Sequence, residues 1–284
     1  MSALNDRSGF VPSGDVNIHF RHFGTPGKAP ILIIHGMSFF SYDWSGVASA
    51  LAGDREVAAM DQRGFGESGW SPTRNYGLRQ QAADMIAVMD KLGWDQAILM
   101  GHSAGGRIAL CTASWFPDRA KALICVDFAP DLAAPGRRKV ADQIGRQPDV
   151  FSSVDEALAY HKQDPALPAD APMRKRFEAF LKPVPGGVQL KRDLHYRDQF
   201  RHALETGKSH PPEVDAWELL KAITIPLLVV RALRSDLFAP ETLPKVQTMN
   251  PRAVTEVVEG SHDLARDNPA QLSAVVSRFV ATLA

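Results

Sequence analysis

Three residues in this sequence have the types and setting for acyl-transfer chemistry: a serine in a glycine-rich turn, a histidine in a late loop and an aspartate ending a strand. The serine is Ser103, within Gly101-His102-Ser103-Ala104-Gly105-Gly106. A short apolar run, Ala97 to Met100, stops at this turn, and a helix-favouring run from Ala104 to Phe116 begins at once. The pattern predicts a strand driven into a helix through a turn too tight for ordinary side chains. Gly101 and Gly105 lack the β-carbons that would collide there, which holds Ser103 out at the tip. The N-terminus of the following helix aims free N–H groups and partial positive charge at whatever sits beside the hydroxyl. A plain N-cap role would account for the serine, but not for three glycines around it.

A serine hydroxyl becomes a nucleophile only when a base removes its proton, and a third group must hold that base. Nine histidines are available. His262, in Gly260-Ser261-His262, follows the last apolar strand, at the carboxyl edge where open α/β sheets place their sites. His35 precedes a glycine turn, and His102 is expected to point away from Ser103. Two aspartates fit the acid: Asp127 at the end of a strand, and Asp236 in the loop Arg234-Ser235-Asp236. Both keep the chain order Ser, Asp, His. Asp127 is favoured because it leaves the strand at the edge where Ser103 emerges. Donors for a developing oxyanion are expected from the backbone N–H groups of Ala104 and Met37. Phe39, Phe40 and Phe128 are expected to wall the pocket, with Trp44 either beside them or in the core. Asp61-Gln62-Arg63-Gly64 reads as a rigid loop braced by an Asp61–Arg63 contact.

The surrounding pattern supplies the scaffold. Asp15–Phe23 alternates polar and apolar residues as a half-exposed strand does. Ile31–Ile34, Glu56–Met60, Ala122–Val126, Ile225–Val230 and Thr255–Val258 read as strands, several with the unbroken apolar character of a parallel sheet buried on both faces. Helical spacing over Trp44–Leu51, Leu78–Leu92 and Ala104–Phe116 alternates with them, which predicts βαβ units. The closing helix takes Asn268 as N-cap, Pro269 as first residue and an apolar stripe from Leu272 to Leu283. Between Asp131 and Trp217 the alternation breaks, and no clean strand is read. Ser153-Val154-Asp155-Glu156 predicts a capping box opening a helix to His161, Pro172–Leu181 a second helix and Pro183–Gly187 a turn. The division expected is a core of 1–130 and 217–284 with a helical cap over 131–216. The cap carries many cations, among them Arg137, Lys139, Arg176 and Arg192; most are expected on a solvated face, with one or two free to meet a substrate carboxylate.

Lys and Arg total 32 and Asp and Glu 32, a balance that argues against nucleic acid or an anionic membrane as partner. No apolar run nears the roughly 18 residues of a membrane span, and Met1–Arg7 lacks the pattern of a signal peptide. Cys111 and Cys125 lie in apolar segments without metal-like spacing, which fits a reducing, cytoplasmic setting. No phosphate loop, dinucleotide fingerprint or metal cluster is read, so no cofactor and no metal is expected. A homo-oligomer is left open.

Taken together, the elbow at Ser103, the His35-Gly36 turn, the Asp61-x-Arg63-Gly64-x-Gly66-x-Ser68 loop and Gly260-x-His262 resemble the α/β-hydrolase superfamily, in its order and over nearly the whole chain. The resemblance implies a mostly parallel eight-stranded sheet flanked by helices, with an inserted helical cap. Most members place the acid three residues past a small residue ending the seventh strand; that place, counted from Ala232, holds Ser235. A branch with Val/Ile-Asp-x-x-Pro after strand six is matched by Val126-Asp127-Phe128-Ala129-Pro130. That branch includes small-acyl esterases and (acetylaminomethylene)succinate hydrolases, the latter similar also around Leu167–Asp170 and Pro183–Gly187. The implied activity is hydrolysis of a small ester or amide through an acyl-enzyme. A C–C bond hydrolase, a cofactor-free haloperoxidase or perhydrolase, and a non-catalytic ligand receptor are the alternatives on the same fold.

Overall fold

The computed structural model describes residues 7–208 and 211–283. Residues 1–6, within the stretch read above for a targeting signal, lie outside the described residues. The chain enters as an antiparallel pair, β1 (Arg7–Ser13) and β2 (Val16–Phe23), and then builds β3 (Lys28–Ile34), α1 (Ser45–Leu51), β4 (Arg55–Met60), α2 (Leu78–Leu92), β5 (Ala97–His102), α3 (Ala104–Trp115) and β6 (Ala120–Val126). An inserted segment follows: α4 (Ala134–Gly145), α5 (Val154–Tyr160), α6 (Pro172–Phe180), a hairpin of β7 (Leu181–Val184) and β8 (Gly187–Leu190), and α7 (Leu194–Thr206). The core resumes with α8 (Ala216–Ala222), β9 (Leu227–Ala232), α9 (Thr242–Met249), β10 (Val254–Val258), α10 (Leu264–Asp267) and α11 (Pro269–Ala281).

Eight strands form one sheet in the order β1-β2-β4-β3-β5-β6-β9-β10, antiparallel only at β1–β2 and β2–β4. The unbroken apolar runs follow from burial on both faces. Leu32, Ile34, Leu99, Leu123, Cys125, Leu227 and Val229 face a core completed by α2, α3, α8 and α9. Their alternates Ile31, Ile33, Ile98, Met100, Ile124, Leu228 and Val230 face one completed by α1, α10 and α11. Trp44 belongs to the second core. Asn268 caps α11 as read from the sequence, its side chain accepting from Gln271 N at 3.2 Å. Among the described residues no helix is long and apolar enough to cross a membrane.

The inserted segment departs from its reading. It contains the β7–β8 hairpin, paired from Leu181↔Leu190 to Val184↔Gly187, where no strand was expected. Four-residue strands containing Pro183 carry too short an alternation to register. The Pro183–Gly187 turn is therefore the hairpin's tip with its flanks. The expected capping box at Ser153 is half formed: Ser153 Oγ accepts from Glu156 N at 3.1 Å, but Glu156 turns its carboxylate to Ser152 N and Oγ. The loop after β4 is also corrected. Asp61 does not pair with Arg63; it accepts from Ser41 N at 2.5 Å, Glu67 N at 3.0 Å and the His19 ring at 2.8 Å. Burial alone would raise the Asp61 carboxyl, but these donors and the nearby His35 hold it below its ordinary value. Arg63 instead meets Asp84 and Asp15.

Candidate active site

Ser103 follows β5 at φ 53° and ψ −120°, a strained conformation for a non-glycine residue. The strain is fixed from both sides. A β-carbon at Gly101 would lie 2.2 Å from Gly105 O, and one at Gly105 would lie 2.4 Å from the carbonyl oxygens of both Ile34 and His35. The pinch is stitched by Ser103 N donating to Val126 O at 3.0 Å and Gly106 N to Ser103 O at 2.9 Å. The helix α3 that starts at the next residue therefore directs its first N–H groups at the serine.

Asp127 leaves β6 one strand over, with φ 43° and its carboxylate fully buried. Oδ1 accepts from Ala232 N at 2.8 Å. Oδ2 accepts from Ser235 Oγ at 2.6 Å and from His262 Nδ1 at 2.6 Å. The serine found where most of the family would carry the acid is thus a donor to the carboxylate arriving from β6. Asp236 takes no part in this cluster: it pairs with Lys139 Nζ at 2.5 Å near the surface. His262 is presented by the loop after β10, and its backbone oxygen accepts from His102 Nε2 at 2.8 Å. His102 is wholly buried, and burial, with His262 nearby, pushes it well below the usual histidine range. Neutral His102 carrying its proton on Nε2 then clamps the His262 loop.

Ser103 and His262 line a cavity of about 500 Å³ under the inserted segment. Among the described residues no hydrogen bond joins Ser103 Oγ to the His262 ring, although both line this cavity. Met37, Phe39, Ala104 and Phe128 border the same cavity. Phe40 does not: it stacks on Phe180 at 4.7 Å in the small core of the inserted segment, so its expected pocket role is corrected. Adjacent aromatic residues diverge at a turn, and Phe39 alone follows the direction of Met37. His35 accepts from Gln62 N at Nε2 (3.0 Å) and holds its Nδ1 2.8 Å from Gly36 O, which shapes the turn presenting Met37.

Residues 29–269 match the alpha/beta hydrolase fold family. This chain belongs to that family. A 3-hydroxybutyrate-oligomer hydrolase of Cupriavidus necator is 31% identical, over 96% of this chain and 97% of its own length. A 2-(acetamidomethylene)succinate hydrolase of Mesorhizobium japonicum is 26% identical, over 95% and 94%. The solved structure of an E-2-(acetamidomethylene)succinate hydrolase superposes with a TM-score of 0.83 at 25% identity, covering 98% of this chain and 100% of that one. As an alpha/beta hydrolase, the chain has relatives that are hydrolases, esterases among them.

The structure adds three site neighbours that sequence patterns did not single out: Arg107, His161 and Arg266. Arg107 lines the cavity one helical turn after Ser103, and its spacing of four on α3 was the available signal. His161 and Arg266 also reach the wall, one from the residue after α5 and the other from α10, next to the His262 loop. Arg176 ties α6 to the core through both oxygens of Asp43, at 2.5 and 2.9 Å.

Proposed function

We propose that this alpha/beta hydrolase cleaves a small ester or amide through a covalent acyl-enzyme, with Ser103 as nucleophile, His262 as base and Asp127 as the acid that orients it. The observation that carries the reading is the 2.6 Å contact from His262 Nδ1 to Asp127 Oδ2 beside a serine held on a strained turn. With Nδ1–H donated to the carboxylate, Nε2 is left unprotonated and free to take the serine proton. The oxygen attacks the carbonyl, and the negative charge that develops is met by the N–H groups of Ala104 and Met37. The imidazolium returns its proton to the leaving alcohol or amine. A water then enters, loses its proton to His262 and releases the acid.

The relatives support the same class: one acts on 3-hydroxybutyrate oligomers and one on 2-(acetamidomethylene)succinate, by their names. The deciding experiment is a panel of small esters and amides run beside a fluorophosphonate label. Labelling of Ser103 with ester or amide turnover supports the reading. A protein that neither labels nor turns over any of them, while folded, removes it.

A further inference from the structure

The corner of the cavity against α5, α6 and α10 gathers several cationic side chains. Arg176 and Arg266 line it beside the His161 ring, and Arg192, which does not line the cavity, lies close enough to act on that ring as well. Arg176 pairs with Asp43, and Arg266 pairs with Asp263 and also feels the Asp267 carboxylate. Arg192, almost fully buried, has two neutral partners, Ser38 Oγ at 2.6 Å and Gln147 Oε1 at 2.5 Å, and no carboxylate among the described residues. Arg192 is therefore a buried guanidinium held by neutral partners alone in a low-dielectric wall.

A free donor stands beside it. Gln143 Nε2 donates to His161 Nδ1 at 3.3 Å, so the neutral ring carries its proton on Nε2. That Nε2 is buried and has no partner among the described residues, while His161 lines the cavity. A buried donor left unsatisfied is costly, and such atoms in a binding cavity are completed by what binds there. Burial and the three arginines push His161 down to about 4, and burial chiefly pushes Arg192 and Arg266 down to about 10. Each of those shifts is relieved by a negative charge in the same corner.

We infer that this corner is a carboxylate subsite, formed by His161 Nε2–H and Arg266 with Arg176 and Arg192 behind them, which selects ester or amide substrates carrying a free acid group. The apolar neighbours Met173, Phe177 and Phe180 suit a short carbon chain between that acid and the scissile carbonyl. The inference rests on Ser103 marking where the carbonyl sits, as in the proposed function.

The test uses two esters of equal length, monomethyl glutarate with a free acid and neutral dimethyl glutarate. Binding to the Ser103→Ala chain is measured by calorimetry, so that it does not depend on turnover. The acid ester binds about ten- to a hundredfold more tightly, the range of a charged hydrogen bond. His161→Phe and Arg266→Gln each remove most of that preference, and His161→Gln, which keeps a donor, restores part of it. Equal affinity for the two esters, or a preference intact in both His161→Phe and Arg266→Gln, overturns the subsite. Preferential binding in a chain whose wild type cleaves neither ester supports the subsite and counts against the proposed hydrolysis.

Discussion

Asp127 and Ser235 meet at 2.6 Å although they come from the ends of different strands, and the same aspartate oxygen holds His262. Ser235 Oγ also accepts from Phe238 N at 2.9 Å, so the loop after β9 is built around the carboxylate. Asp127→Asn keeps the shape but replaces an acceptor with a donor facing Nδ1. The imidazole proton then shifts to Nε2, where it blocks proton abstraction. Turnover falls by about 10⁴-fold, as for the same change in other triads. Asp236→Asn stays within a few-fold of wild type, because Asp236 pairs only with Lys139. Steady-state kinetics on both variants check this, and the reverse ranking would overturn the assignment to Asp127.

Removing the proposed nucleophile is the stronger intervention. Ser103→Ala lowers kcat by about 10⁶-fold, the size of effect seen when a triad acts as a unit. Fluorophosphonate labelling disappears with it. The urea midpoint stays near the wild-type value or rises, since alanine removes no side-chain hydrogen bond of Ser103 and the backbone strain stays. Residual turnover within tenfold of wild type would show another group doing the attack.

The elbow was legible because its chemistry and its backbone need the same residues. Gly101 and Gly105 are required by carbonyls within 2.4 Å, and this requirement is written in the sequence as glycine. The core strands were legible for a related reason: β3, β5, β6 and β9 bury both faces, so their central positions are apolar. Where a segment is held by contacts distant in sequence, that signal fades. Asp61 was matched with its near neighbour Arg63, yet its partners are His19, Ser41 and Glu67. The cavity cations were visible as residues but not as a site, since the difference between Arg176, paired with Asp43, and Arg192, with neutral partners only, exists only after folding.

Gly105→Ala tests the packing of the elbow directly. Its methyl group would sit 2.4 Å from two backbone carbonyl oxygens of β3 and the turn after it, neither of which can rotate away. The expected loss is about 1–3 kcal/mol of stability, the usual range for overpacking, together with most of the turnover as Ser103 is displaced. Urea unfolding and kinetics on one preparation measure both. A variant with an unchanged midpoint and unchanged kcat would mean that the turn has room it is not shown to have.

Acid lability follows from the buried histidines. His35, His102 and His161 all sit below the ordinary histidine range, chiefly because burial opposes their charged form, and His161 is pushed to about 4. In the unfolded chain each takes a proton near pH 6.5, whereas the folded chain resists. The unfolded state therefore binds more protons as pH falls, and stability falls with it. For His161 the contribution is complete above about pH 6.5 and is lost as pH drops toward about 4. Each such histidine adds about 1.4 kcal/mol per pH unit to the slope inside its window. Replacing one should flatten the curve by that amount: His161→Gln, unfolded in urea at a series of pH values between about 4.5 and 6, loses one proton's worth of slope against wild type. Identical slopes in the two proteins would show that His161 titrates alike in both states, and that its burial carries no such electrostatic cost.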